Sequence, residues 1–178
     1  MIASIPELLA EYDRARAYTD LLWRDLRAEE VCWRPHTESS AIGWHLGHQA
    51  TVAHFMVRNL TAAEPSPDAE LEPLMDSATP ERIRGDLPDL RRLADFRAEV
   101  AERVHARTGD IAARAVSAPG QMLVIATTLL IAVINHEYQH DQWIAEVRSR
   151  DLGRELPPRP VSDALTELDG YLVIGATT

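Results

Sequence analysis

The chain has 178 residues, 46% of them hydrophobic, with 28 acidic side chains against 18 basic ones and a net charge of −10. That length and apolar content suit one domain, residues 1–178, with a single core and not a disordered chain, while the negative field repels phosphate backbones, so no nucleic-acid partner is expected. Every basic residue is Arg, which excludes Lys Schiff-base chemistry, and the lone Cys32 has no intrachain disulfide partner, which fits a cytoplasmic protein.

The N-terminal stretch reaches acidic residues within a few positions and lacks a basic region, so it does not read as a signal peptide. Periodicity predicts a first helix from Ile5 to Arg27, because Leu8, Leu9, Tyr12, Ala15, Tyr18, Leu22 and Leu26 fall at helical spacing. A connector through Cys32, which is expected to pack, and Pro35 leads into Ser/Thr capping candidates. The second helix is predicted from Ser40 to about Leu60. It carries Gly43, Trp44, His45, Leu46, Gly47 and His48, and two glycines at i and i+4 imply close approach of another helix or a ligand.

A Pro- and acid-rich segment from Ala63 to Pro80, with a short helix near Leu71 to Met75, suits a long crossover between the ends of a bundle. The third helix is predicted from Leu87 or Pro88 to about Arg107, on the stripe Leu90, Leu93, Phe96, Val100 and Val104, with Gly109 ending it. The fourth runs from Gln121 to Arg148. Its apolar part, Met122 to Ile134, has almost no polar face and is expected to be buried; it is shorter than the roughly 20 residues of a membrane span, so no membrane partner is expected. Gly153, Pro157, Pro158 and Pro160 stop it, and the tail offers a short helix from Ser162 to Leu168 before the apolar run Tyr171 to Ile174. The expected fold class is all-α, a four-helix bundle with a long crossover between helices two and three.

The chemistry lies in the histidines. His136 and His140 stand at i and i+4 at the polar end of the fourth helix, so both rings share one face and can grip one divalent ion. A second cluster, His45 and His48, sits in the second helix. His136-Glu137-x-x-His140 also spells the zincin metallopeptidase pattern, with Glu137 as candidate general base and Glu146, Glu155 or Glu167 as third ligand. The longer zincin signature is absent, and no strand precedes the helix to hold a peptide.

The run Trp33-Arg34-Pro35, the run Ser40 to His48, the pair His136 and His140, and Leu152-Gly153 with Pro157-Pro158 occur in an order that resembles the DinB-like superfamily of four-helix-bundle metalloproteins. The resemblance covers nearly the whole chain. It implies one metal ligand from the second helix and two from the late pair, which are His48, His136 and His140 here. His45 then becomes a residue of the pocket or of the ligands' surroundings. Where the family often has a Gly-Gln step after the pair, this chain has Gln142 and Trp143, which implies a pocket of altered shape with Trp44, His45, Thr51 and Trp143 in its lining.

Relatives include metal-dependent thiol S-transferases and a maleylpyruvate isomerase. The resemblance therefore implies a metal-dependent enzyme on a small-molecule substrate, holding Zn, with Ni or Fe also accepted by three imidazoles, and using mycothiol or another small thiol. The alternatives are the metallopeptidase, and a non-enzymatic binding module or structural metal module. A homodimer is a further expectation for bundles of this kind.

Overall fold

The computed structural model describes residues 4–61, 64–78 and 86–175. Helix α1 runs Ile5–Trp23 and starts at a capping box, in which the Ser4 hydroxyl accepts from the Glu7 amide and the Glu7 carboxylate accepts from the Ser4 amide. It ends earlier than its apolar stripe suggested. A short helix α2, Ala28–Val31, turns the chain, and Leu26 packs with it in a smaller apolar cluster. Helix α3 spans Ile42–Thr61, and a 3-10 turn at Glu72–Met75 interrupts the crossover that follows. The ends of the predicted crossover, Ala63 and Pro80, lie outside the described residues.

Helix α4, Leu90–Ala112, is capped by the Asp89 carboxylate on the Arg92 amide and passes through Gly109 instead of stopping there. Tertiary packing of Val104, Thr108 and Ile111 outweighs the modest cost of one helical glycine. Helix α5, Pro119–Glu146, opens with proline in its first turn, where a missing amide hydrogen costs nothing. A π turn over Val147–Asp151 closes it, with the Leu152 amide donating to the Val147 carbonyl at 3.0 Å. Gly153, at φ +62°, then reverses the chain in a conformation that favours glycine.

Two expectations about the last third of the chain are corrected. The tail forms no helix at Ser162 to Leu168. Strands β1, Leu165–Leu168, and β2, Tyr171–Ile174, instead make an antiparallel hairpin over Asp169-Gly170, both at positive φ. The Asp-Gly pair between two apolar runs is itself a hairpin signal. The Ile174 amide donates to the Asn135 side chain at 2.7 Å, which ties the hairpin to α5 beside the histidine pair.

The apolar start of α5 is also less buried than its composition suggested: Leu123, Val124 and Ile125 are exposed, Val124 at 67%. By length and composition the helix Pro119–Asp151 could cross a membrane, so the shortness of the apolar run does not settle that question. In the fold α5 packs against α1, α3, α4 and β2 and buries Glu137, His140 and Asp141.

The bulk of the described chain is helical, and the four long helices enclose one large apolar cluster. Leu8, Tyr12, Met56, Leu93, Leu130 and Ile134 are among its fully buried side chains. This arrangement packs α3 against α5, with one histidine cluster in the N-terminal part of α3 and the other in the C-terminal half of α5.

Candidate metal centre

His48 on α3 and His136 and His140 on α5 converge, each offering one nitrogen, with all three nitrogens within 4.8 Å of one another. The ring centroids are 5.1 Å apart for His48 and His136, 5.0 Å for His48 and His140, and 4.3 Å for His136 and His140. Nitrogens sharing one tetrahedral ion lie about 3.4 Å apart, so small ring rotations would close the set. The helical i,i+4 spacing sets the His136–His140 pair, and only packing of α3 against α5 supplies His48.

The donor chemistry fits a divalent ion. His48 Nδ1 lies 2.7 Å from the Met75 carbonyl oxygen, which can only accept, so Nδ1 carries a proton and, in the neutral ring, Nε2 carries the lone pair. A metal-binding histidine is usually oriented in this way, by a carbonyl on its far nitrogen. The Met75 turn approaches because position 47 is glycine. A Cβ there would collide with the Met75 Sδ and lie 2.7 Å from its Cγ. The sequence-based expectation of a close approach at Gly43 and Gly47 is thus met by side chains of Leu87 and Val31 at the first and by the crossover turn at the second.

His136 Nδ1 is buried with no hydrogen-bond partner. Burial, and secondarily the His48 ring, lowers the His136 pKa to about 4, and burial with three neighbouring imidazoles lowers that of His140. Both rings are therefore neutral at pH 7, the form that ligates.

The histidines form one wall of a solvent-open cavity of about 630 Å³. Trp44 and Trp143 line it, with Trp44 stacked on His48 at 4.5 Å and 13° and Trp143 edge-on to His140 at 4.8 Å. His45 lines it as well, with its Nδ1 2.7 Å from His140 Nδ1. Thr51, expected in the lining, is not among the lining residues; it stands about 5 Å further along the α3 axis than His48. The structure adds residues that no motif pointed to: His36 and Ser39 from the connector, Ser77 from the crossover, and Arg150 from the end of α5; Ser40, which opens the second-helix run, and Glu146, a zincin third-ligand candidate, line the cavity as well. Arg150 reaches the cavity from within the π turn, whose position is held by Arg148 bonding to Asp25, the Leu22 carbonyl and the Glu155 carbonyl.

Glu137 does not reach this cavity. It is 1% exposed and points into the helical core, where its Oε2 lies 3.9 Å from Arg97 Nη2. One residue past His136 on a helix is a turn of about 100°, which carries the side chain off the ligand face. Burial raises its pKa more than Arg97 lowers it. Around it runs a buried polar network. Arg97 donates to the Leu46 carbonyl and to Gln49 Oε1, Gln49 donates to Asp141 and to the Glu137 carbonyl, and Thr19 donates to Asp141 at 2.6 Å. The zincin third-ligand candidate Glu167 lies on β1 and pairs with Arg159.

The remaining expectations divide. His54, which belongs to no histidine pattern in the sequence, is fully buried and bonded to Glu72, so it is a core residue. Cys32 is exposed instead of packed. His105 lies at the surface beside Asp13.

A family model described as the DinB superfamily matches residues 11–144, well over half of the chain and a span that includes all three converging histidines. No curated protein matches the chain.

Proposed function

The chain belongs to the DinB superfamily, and from that premise we propose that it is a metal-dependent enzyme acting on a small molecule, with His48, His136 and His140 as ligands. The observation that carries this reading is the convergence of three imidazoles from two helices on the wall of an open cavity. Three protein ligands leave a position for water or substrate, whereas structural zinc sites are usually closed by four. With an open position, a bound divalent ion would lower the pKa of a thiol or water, or polarise a carbonyl.

The chain's own residues do the rest. Trp44 and Trp143 exclude water from two sides and offer aromatic faces to an apolar part of the substrate. Ser39, Ser40 and Ser77 add hydroxyls to the lining, and Glu146 and Arg150 add one charge of each sign. A low-molecular-weight thiol such as mycothiol suits a cavity with polar walls and a soft-ligand-tolerant ion at its floor, so an S-transferase or isomerase remains the preferred class. The chemistry of three imidazoles favours Zn, with Ni and Fe also compatible. We place the reaction in the cytoplasm.

The orientation of Glu137 towards Arg97 argues against a peptidase. The non-enzymatic reading is separated by an exogenous ligand. Purified protein is expected to hold about one divalent ion per chain by elemental analysis, His48→Ala is expected to lose it, and the Co²⁺-substituted protein is expected to change its visible spectrum on addition of a thiol. Full metal occupancy in His48→Ala would refute the ligand set. A spectrum indifferent to thiols and imidazole would favour a closed structural site.

A further inference from the structure

His140 has a neighbour that the three-ligand set does not use. His45, one turn before His48 on α3, is 7% exposed, and its Nδ1 lies 2.7 Å from His140 Nδ1. The two ring centroids are 5.0 Å apart at 59°. Two nitrogen lone pairs at that distance would repel, so one proton lies between them. There are two ways to place it. If His45 donates, His140 carries its own proton on Nε2 and that nitrogen is closed to a metal. If His140 donates, its Nε2 lone pair is free.

We infer that His45 is a positioning residue which accepts the Nδ1 proton of His140 and so holds His140 in the tautomer that presents Nε2 to the ion. The inference rests on the metal reading above, and it gives two of the three ligands the same support. His48 donates its Nδ1 proton to the Met75 carbonyl, and His140 donates its own to a second imidazole. Both partners belong to the α3 side of the cavity, His45 directly and Met75 through its fit against Gly47. An imidazole is an uncommon choice for this role, which carboxylates, carbonyls and water usually fill. Here it keeps the total charge around the ion at that of the ion alone. His45 is also ringed by Trp44 at 5.2 Å and Trp143 at 5.8 Å, which fix its plane.

The test is zinc affinity of the full chain, measured by competition with a chromophoric chelator, for the unsubstituted protein, His45→Leu and His45→Asn. Leu keeps volume but accepts no proton; Asn places an amide oxygen near the former Nδ1. Removing such a partner typically weakens metal binding about 10–100-fold. The expected result is a loss of that size in His45→Leu, with affinity in His45→Asn restored to within roughly threefold of the parent, and helical circular dichroism unchanged in both. Equal affinity in His45→Leu would overturn the inference while leaving the metal reading intact. An equal loss in both variants would also overturn it, because the role would then be one of packing. No zinc binding by the unsubstituted chain would overturn the metal reading and this inference together.

Discussion

At the scale of single residues, the site depends on one absent side chain as much as on three present ones. Gly47 leaves room for Met75, and the Met75 carbonyl sets the proton of His48. Gly47→Ala should raise intrinsic helix propensity by up to about 1 kcal/mol and yet damage the site, because Met75 must swing or its turn must retreat. The expected outcome is a fall in zinc affinity of about tenfold, seen by titration calorimetry, with a net loss of thermal stability, because overpacking at about 1–3 kcal/mol outweighs the propensity gain. The histidine pair, the second-helix cluster and the glycines were all legible as residues. The Met75 carbonyl was not, because a backbone acceptor has no sequence signature. Nor was the burial of His54, whose partner Glu72 is supplied by the crossover.

Between elements, the helices are joined beneath the cavity by buried polar groups and not by apolar contacts alone. Thr19 of α1, Gln49 of α3, Arg97 of α4 and Asp141 of α5 form one connected network, with Glu137 at its edge. It stands directly behind the ligands, since Glu137 and Asp141 each follow a candidate ligand in sequence. Arg97→Ala would leave these groups buried without their cation. The expected cost is about 3–5 kcal/mol in denaturant unfolding. Glu137→Gln should keep both metal occupancy and turnover, since its carboxyl faces Arg97 and not the cavity; a peptidase base would instead show itself in lost hydrolysis with metal retained. Periodicity located the four long helices to within a few residues at most ends, because apolar spacing decides which face is buried. It placed the end of α4 too early at Gly109, and it missed the π turn. Both are settled by neighbours: the packed residues around Thr108, and the Arg148 bonds to Asp25 and Glu155.

For the whole molecule, protonation links the site to stability. His136 has a folded pKa of about 4 against an ordinary value near 6.5. Its contribution to stability is complete above pH 6.5 and is lost as the pH falls towards 4, because the unfolded chain takes up the proton first. Glu137 and Asp141 have raised values and act in the opposite sense, favouring the fold at low pH. The histidine effect is therefore isolated by comparison. Metal-free His136→Gln should lose less stability than the parent between pH 6.5 and 4, as measured by denaturant midpoints at each pH. The exposed stripe at Leu123, Val124 and Ile125 carries no such linkage. Val124→Glu should change folding stability by no more than about 0.5 kcal/mol, and a change in sedimentation of that variant would reveal whether the stripe serves the expected homodimer.

What the sequence alone determined were features written in local order: helical periodicity, the i,i+4 histidine pair, the glycine spacing, and a succession of motifs that resembles one superfamily. Local order acts through the chain's own geometry, so it can be read from spacing. What only the tertiary structure decided were relations between segments distant in sequence. His48 meets His136 across 88 positions, Glu137 turns to Arg97 instead of the cavity, and His45 reaches His140. Those relations depend on which faces of α3, α4 and α5 pack together, a choice made by the summed burial of the core and by no single motif.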